Sequence, residues 1–555
     1  MFPGFKKRFF FWGILFNITL FLILLAQNPF SGKSILSDLY LYPDTIHYIN
    51  PAVNIFEGFG FKISREGRSI PTEVPPLYST VLIPAYFISH DPRMFYFTNI
   101  FLSLVSAFLF FLVLKLITDN KLIIFFVFFL YVTNFFIGWY PKLAMAENLA
   151  LPLFLGGLYL LFTKVDCAKL VLAGMLGVSL LAAKYALAPL SISFYLLFAI
   201  KVIFGEGSQR GKTRLVNFFI LFVAGLTVFV LFIYGENLYK NYNLFSKSEY
   251  FLKLLVPVVA TGAGTVSSTP SSQSPTIFSF SNLQDSSAQY LAGLMGGPME
   301  FAGFYRQIAP VFVGMLGLPA LFYGLIIKRY RFVCFCLITS VVVSVAFMST
   351  FKVVDGRYVY HTIPVLLLGF AIFLDEVRRF LVQNNLKFAY LGLIASLFLY
   401  YLITSTGRFS TLVFENWNGD KTPLNYNTVV AFNSFFPKSP GDPAKKPVVI
   451  TDLMPYFVDL YSNGHYRILP LATFGFFMNQ AAAAWGPQDD YHNLLAVYDS
   501  YLKKGFDVYV SDSGIYDWNK TYLLHNFKGL REKYNLVRVS IGCSGECILY
   551  KLGVK

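Results

Sequence analysis

The decisive stretch runs Tyr42-Pro43-Asp44-Thr45-Ile46-His47-Tyr48-Ile49-Asn50-Pro51-Ala52, a polar segment shortly after the first apolar run. Asp44, Tyr48 and Ala52 are spaced four apart, so a helix beginning near Pro43 stacks them on one face. Proline suits the first turn, and a carboxylate there gains from the positive end of the helix dipole. Pro51 falls two turns later and predicts a short or kinked helix lying flat on a membrane surface. Gly58 and Gly60 are expected to end it, and Pro75-Pro76-Leu77-Tyr78 to open a second amphipathic segment reaching Phe87. Asp44 has two readings at this point, a helix cap or a group that does chemistry.

Working outward, composition sets the class. Of 555 residues 56% are hydrophobic and 19% aromatic, with only 14% charged, far from a soluble average. Apolar runs of about 20 residues, enough to cross a hydrocarbon core, recur from Phe9 to Ile403. The first follows Lys6-Lys7-Arg8 and is followed by Gln27-Asn28-Pro29-Phe30 rather than a small-residue cleavage site, so it reads as a retained anchor. The expected fold class is a polytopic α-helical membrane protein with a C-terminal extracytoplasmic α/β domain.

Eleven segments are expected, near 9–27, 94–117, 121–139, 145–163, 168–184, 186–205, 215–235, 307–327, 332–350, 358–375 and 387–405. With Lys6-Lys7-Arg8 inside, the inner turns carry Lys115 and Lys121, Lys164 and Lys169, Arg210, Lys212 and Arg214, Lys328, Arg329 and Arg331, and Arg378, Arg379 and Lys387. The short outer turns hold only Lys142, Lys184, Lys352 and Arg357. This asymmetry follows the positive-inside rule and places Asp44 and the C-terminal part outside, in the cell membrane. The net charge of +15 sits mostly in the inner turns, where it suits membrane lipids; no free-standing basic patch with interleaved aromatics supports nucleic-acid binding.

The expected organisation is a membrane module over 1–405, with a first outer loop at 28–93 and a long one at 236–306, then an α/β domain over 406–555. In the long loop Thr261–Ser287 is rich in Ser, Thr, Gly and Pro, which fits a linker or a mobile flap. Strands are expected at 447–451, 466–469, 506–511, 535–540 and 547–552, with helices at 456–461 and 492–504, giving a partly parallel sheet. No Gly-rich phosphate loop follows Ile450. Cys167, Cys334 and Cys336 read as buried thiols in membrane segments or at their inner ends. Cys543 and Cys547 leave a local disulfide open.

The order of short motifs resembles the GT-C glycosyltransferase superfamily, nearest to its prokaryotic protein mannosyltransferase and aminoarabinose transferase branch. Asp44-x-x-x-Tyr48-x-x-x-Ala52, with Pro75-Pro76-Leu77-Tyr78 after it, is similar to the family's first acidic motif and its downstream proline stretch. Met145-Ala146-Glu147-Asn148-Leu149-Ala150-Leu151-Pro152 resembles the second acidic motif, Lys184 with Pro189 the basic position, and Gly356-Arg357-Tyr358 with Pro364 the Arg-Tyr motif. Val449-Ile450-Thr451-Asp452 and the stretch to Pro470 look like the domain appended to such proteins. A Trp-Trp-Asp-Tyr-Gly stretch is absent, against an oligosaccharyltransferase, and Thr45 follows Asp44 where protein mannosyltransferases carry a second acid.

The resemblance implies inverting transfer of a sugar from a polyprenyl-phosphate donor to an extracytoplasmic glycan, lipid or protein acceptor. A hydroxyl nucleophile needs a carboxylate to take its proton. The leaving phosphate needs fixed cations rather than an acid. Asp44 is then the expected base, Lys184 and Arg357 the phosphate ligands, and Tyr48, Glu147 and Tyr358 further substrate-binding positions; a divalent metal stays open as a cofactor. Each has a plainer reading: Glu147 as a dipole partner, Lys184 reaching to the interface, Arg357 paired with Asp355, and Tyr48, Tyr358 and His361 as interfacial belt residues. The competing class is a transporter or flippase of polyprenyl-linked glycans. It predicts internal repeats and midplane acids, whereas the acids here lie at segment ends.

Overall fold

The computed structural model describes residues 3–30, 43–62, 74–164, 166–204, 211–238, 282–301, 304–350, 354–418, 424–436, 446–453, 455–462, 464–472, 487–513, 520–539 and 548–555. The chain divides into two compact units. One comprises 1–28, 73–268 and 273–418, the other 29–72, 269–272 and 419–555.

The first unit is a bundle of apolar helices, and each expected range holds helix. Among the described residues five helices are long and apolar enough to cross a membrane: Pro92–Ile117, Tyr185–Phe204, Arg214–Leu231, Arg331–Met348 and Lys387–Gly407. Shorter apolar helices include Glu147–Phe162, Cys167–Ala183 and Val311–Gly324. The chain is a multi-pass membrane protein.

The expected single segment at 121–139 is instead a pair, Lys121–Val132 and Phe135–Lys142, bent by 55°. Asn134 explains the break. Its side-chain oxygen accepts from the N–H groups of Phe136 and Ile137, capping a new helix, and its amide donates to the Ile308 carbonyl at 2.8 Å. A residue that bonds its own downstream backbone competes with helix continuation.

Two sets of turns gather at opposite ends of this unit. At one end Asp375, near the end of the Thr362–Gln383 helix, accepts from Thr118 Oγ1 at 3.1 Å and from Tyr330 Oη at 2.6 Å. It also pairs with Arg329, with Arg378 at 3.1 Å and with Arg379 at 3.4 Å. Three of the basic turns expected inside thus meet on one carboxylate. The other set, 140–147, 184–187 and 355–361, forms the candidate site.

The long loop contains more structure than the sequence suggested. Most of Thr261–Ser287 lies outside the described residues, but a helix spans Leu283–Leu294 and an antiparallel hairpin pairs β1 (Pro298–Phe301) with β2 (Phe304–Gln307). Cys334 and Cys336 are buried, while Cys167 is exposed, against expectation: it opens a helix just after the Asp166 cap and so sits at the bundle's edge. Cys543 and Cys547 lie outside the described residues.

In the second unit the helix over Pro43–Phe56 runs through Pro51 without a break. Gly58 and Gly60, at φ +82° and +86°, turn the chain away from it, and Phe59 N–H closes onto the Asn54 carbonyl at 2.8 Å. Such a left-handed terminus favours glycine. The α/β part is a five-stranded sheet in the order β4-β3-β5-β7-β6. Here β3 is Val448–Thr451, β4 Arg467–Pro470, β5 Val508–Asp512, β6 Tyr534–Val539 and β7 Ile548–Val554. β4-β3-β5 are parallel, and β7 and β6 join antiparallel. Val448, Ile450, Val508 and Val510 pack with Tyr498 of the helix Pro487–Lys503 and with Leu523, Phe527 and Leu530 of the helix Lys520–Lys533.

Candidate functional site

The site grows from the loop between the bent pair and the next helix. In the turn at Tyr140–Lys142 and the residues after it, the carbonyls of Tyr140, Leu143 and Met145 each accept one local backbone N–H, and two asparagines brace the loop further from the side. Asn148 donates its side-chain amide to the carbonyls of Tyr140, Leu143 and Met145, at 3.1, 2.7 and 3.1 Å. Asn99 donates to Leu143 and Pro141 at 2.8 and 3.2 Å, and its oxygen accepts from Tyr78 Oη at 2.6 Å. All three side chains are buried. The loop is therefore held in one shape, and Glu147 opens the helix Glu147–Phe162 from a fixed point.

Glu147 is 3% exposed. Its Oε1 lies 2.5 Å from Lys184 Nζ, and its Oε2, also buried, accepts no hydrogen bond. Lys184 ends the helix Cys167–Ala183 in an extended conformation, which turns its side chain off the helix and toward Glu147. A charged pair this far from water needs good geometry and further hydrogen bonds to hold its own.

The third wall is the turn Gly356–Val359. Asp355 caps it by accepting from the Arg357 N–H at 2.8 Å and also from Arg357 Nε at 2.6 Å. Both cations lie over the Tyr358 ring: Lys184 Nζ is 5.3 Å and the Arg357 guanidinium carbon 5.9 Å from its centre. Glu147, Lys184, Arg357, Tyr358, Tyr360 and His361 together line one narrow cleft. His361 bonds through Nε2 to Ser344 Oγ at 2.7 Å and is buried, so it is no belt residue.

The structure thus brings together Glu147, Lys184, Arg357 and Tyr358. The side chain of Asp44, in the first turn of the helix Pro43–Phe56, lies outside the described residues. Tyr48 and Ala52 of that helix are both buried. Each cation of the cleft already faces a carboxylate, so an incoming anion meets it from its remaining exposed side, 17% of the side chain in both cases. Asn99, Asn148, Tyr140 and Tyr360 were not singled out from sequence. Asn148 follows directly after Glu147, so a polar neighbour inside the motif was the available signal. Among the described residues no group of three or more His, Cys, Asp or Glu side chains could hold a metal ion.

No protein-family model matches the chain, and no curated protein matches it by sequence. Solved structures do. ArnT from Cupriavidus metallidurans bound to undecaprenyl phosphate aligns over 98% of both chains at 10% identity, with a TM-score of 0.55. The apo oligosaccharyltransferase from Archaeoglobus fulgidus aligns over 98% of this chain and 75% of its own at 11% identity, TM-score 0.53. The archaeal oligosaccharyltransferase AglB from the same organism, in complex with an inhibitory peptide and a dolichol-phosphate, covers 99% and 75% at 11% identity, TM-score 0.50. These are GT-C glycosyltransferases, and the chain shares their fold.

Proposed function

We propose that this protein is an inverting membrane glycosyltransferase that moves a sugar from a polyprenyl phosphate to an extracytoplasmic acceptor. The supporting observation is the cleft, in which one buried carboxylate with an unused oxygen stands beside two cations that both lie near one tyrosine ring, on a GT-C fold. In this reading all eleven segments cross the bilayer, with the cleft and the C-terminal domain outside.

The chemistry divides among the residues. Lys184 and Arg357 hold the donor phosphate and stabilise the charge it gains as the glycosidic bond breaks. Arg357, anchored through Nε by Asp355, presents its terminal nitrogens in a fixed plane, suited to a phosphate's paired oxygens. Asp44 takes the acceptor's proton as the anomeric carbon is attacked from the face opposite the phosphate. Glu147 Oε2 accepts from a hydroxyl of the bound sugar or acceptor, which ends its isolation when substrate arrives.

The test is mass spectrometry of polyprenyl-linked sugars and surface glycans in cells with and without the protein, followed by transfer from a purified polyprenyl-phosphate sugar. A donor that accumulates and a glycan modification that disappears are expected. Unchanged pools and no transfer by purified protein would overturn the reading.

A further inference from the structure

A second cleft lies at the other end of the helical unit, between the helices Val311–Gly324 and Thr362–Gln383. The two helices touch backbone to backbone at Gly317 and Gly369, where any side chain would collide with the partner helix. Beyond that crossing they diverge and leave a cavity of about 670 Å³. It is lined from Met315 to Tyr323 on one side and from Ile372 to Gln383 on the other, a run of roughly 12–16 Å at 1.5 Å per residue. That matches one leaflet of a hydrocarbon core, about 15 Å deep.

The cleft's mouth is charged. Arg379 lines it and reaches both Asp375, at 3.4 Å, and Glu376, at 3.8 Å. Arg329 and Arg378 also pair with Asp375. Three arginines therefore face two carboxylates, leaving one positive charge in excess. Glu376 lines the cleft as well; its Oε1 is turned inward toward Arg379, and the 27% of the side chain that stays exposed leaves the carboxylate room to accept from a donor. An occupant that satisfies the mouth carries one negative charge and a donor beside it.

We propose that this cleft binds one anionic phospholipid whose headgroup bears hydroxyls, the phosphatidylglycerol class. Its phosphate meets Arg379, a headgroup hydroxyl donates to Glu376, and one acyl chain fills the apolar length. Phosphatidylethanolamine would serve Glu376 but leave the excess charge, and phosphatidylcholine would do neither. Basic pockets between membrane helices on the inner side commonly take anionic headgroups. This inference does not depend on the proposed sugar transfer, because the cleft lies at the end away from Glu147 and Lys184.

The experiment is competitive lipid retention by the purified full-length chain in detergent, read by native mass spectrometry. Chain-matched phosphatidylglycerol, phosphatidylethanolamine and phosphatidylcholine compete, with soluble glycerophosphoglycerol in a separate arm. Phosphatidylglycerol is expected to be retained about tenfold over the others, and R379Q to remove most of that preference. V377F, which fills the apolar length without touching a charge, should lower retention of all three, which keeps the test valid if R379Q folds poorly. Equal retention of the three lipids, or preference for phosphatidylethanolamine, would overturn the proposal. Competition by the soluble headgroup alone would show a phosphate site rather than a lipid site, and would overturn it too.

Discussion

Lys184 Nζ stands 2.5 Å from one oxygen of Glu147, and the other oxygen of that buried carboxylate accepts no hydrogen bond. The pair is lopsided, since Glu147 is enclosed and Lys184 has a side open to the cleft. K184M therefore strands a buried charge and should destabilise by about 2–4 kcal/mol. E147Q leaves a lysine that can turn to water and should cost about 1 kcal/mol. The double variant should recover much of the K184M loss, as read from unfolding midpoints in detergent; simple additivity would mean the contact contributes nothing.

Arg357 is held by Asp355 through Nε at 2.6 Å. Lysine has one terminal nitrogen and cannot keep that Nε bond while offering a planar pair of N–H groups to the phosphate. R357K should raise the donor KM about tenfold, equivalent to about 1.4 kcal/mol, with a smaller change in kcat. A variant indistinguishable from wild type in donor KM would remove Arg357 from phosphate binding.

Asp44→Asn separates base from cap. Asparagine caps a helix nearly as well, so a capping role predicts full activity. A general base predicts transfer lowered by about 10²–10⁴-fold with donor affinity kept. Asp38→Asn, in the same loop, is the control. The measurement is single-turnover transfer at matched folded yield.

Asp452, at the end of β3, is buried between Ser511 and Ser513, accepting from Ser511 Oγ at 2.5 Å and the Ser513 N–H at 2.8 Å. Burial pushes its carboxyl up to about 6, against the opposing pull of those serine hydrogen bonds. The folded state therefore takes up a proton before the unfolded chain does as pH falls. The stability this adds is complete below the ordinary value of 3.8 and lost as pH rises through about 6, a window of about 3 kcal/mol. Amides of β3 and β5 in the full chain, corrected for intrinsic exchange, should exchange more slowly at pH 5 than at pH 7. In D452N that difference should vanish; its persistence would assign the effect to another group.

Orientation is open to direct labelling. In a background with Cys543 and Cys547 replaced by serine, S69C and S439C should react with an impermeant thiol reagent in intact cells, and S208C should not. Labelling at S208C alone would invert the topology and move the proposed chemistry inside.

Helix positions were legible because apolar runs bounded by basic turns leave few alternatives. The sheet was legible because Val-Val-Ile and Val-Tyr-Val runs read as buried strands. What stayed hidden was set by side chains acting at a distance. Asn134 breaks a helix that apolarity alone would continue. The helix Lys520–Lys533 was not anticipated, although Leu523, Phe527 and Leu530 recur at helical spacing. Glu147, Lys184 and Arg357 could be chosen by motif, and Asp355, two residues before Arg357, was readable as its partner; the pairing of Glu147 with Lys184 was not, since it depends on how separate turns meet. The same holds for Asp375, whose sequence neighbours show two of its arginines and not the third.

The Asp375 knot also has an order of assembly. Thr118 and Asp375 are 257 residues apart, so a ribosome adding about 5–20 residues per second finishes the first roughly 13–50 s before the second. Arg329, made 46 residues ahead of Asp375, likewise waits with its charge unmatched. The carboxylate arrives last among long-range partners, and Arg378 and Arg379 follow within four residues. An acid that would be costly to insert alone thus enters when one cation, Arg329, is already made and two more follow at once. The early helices must stay lodged in the translocation machinery or the lipid until that clasp closes.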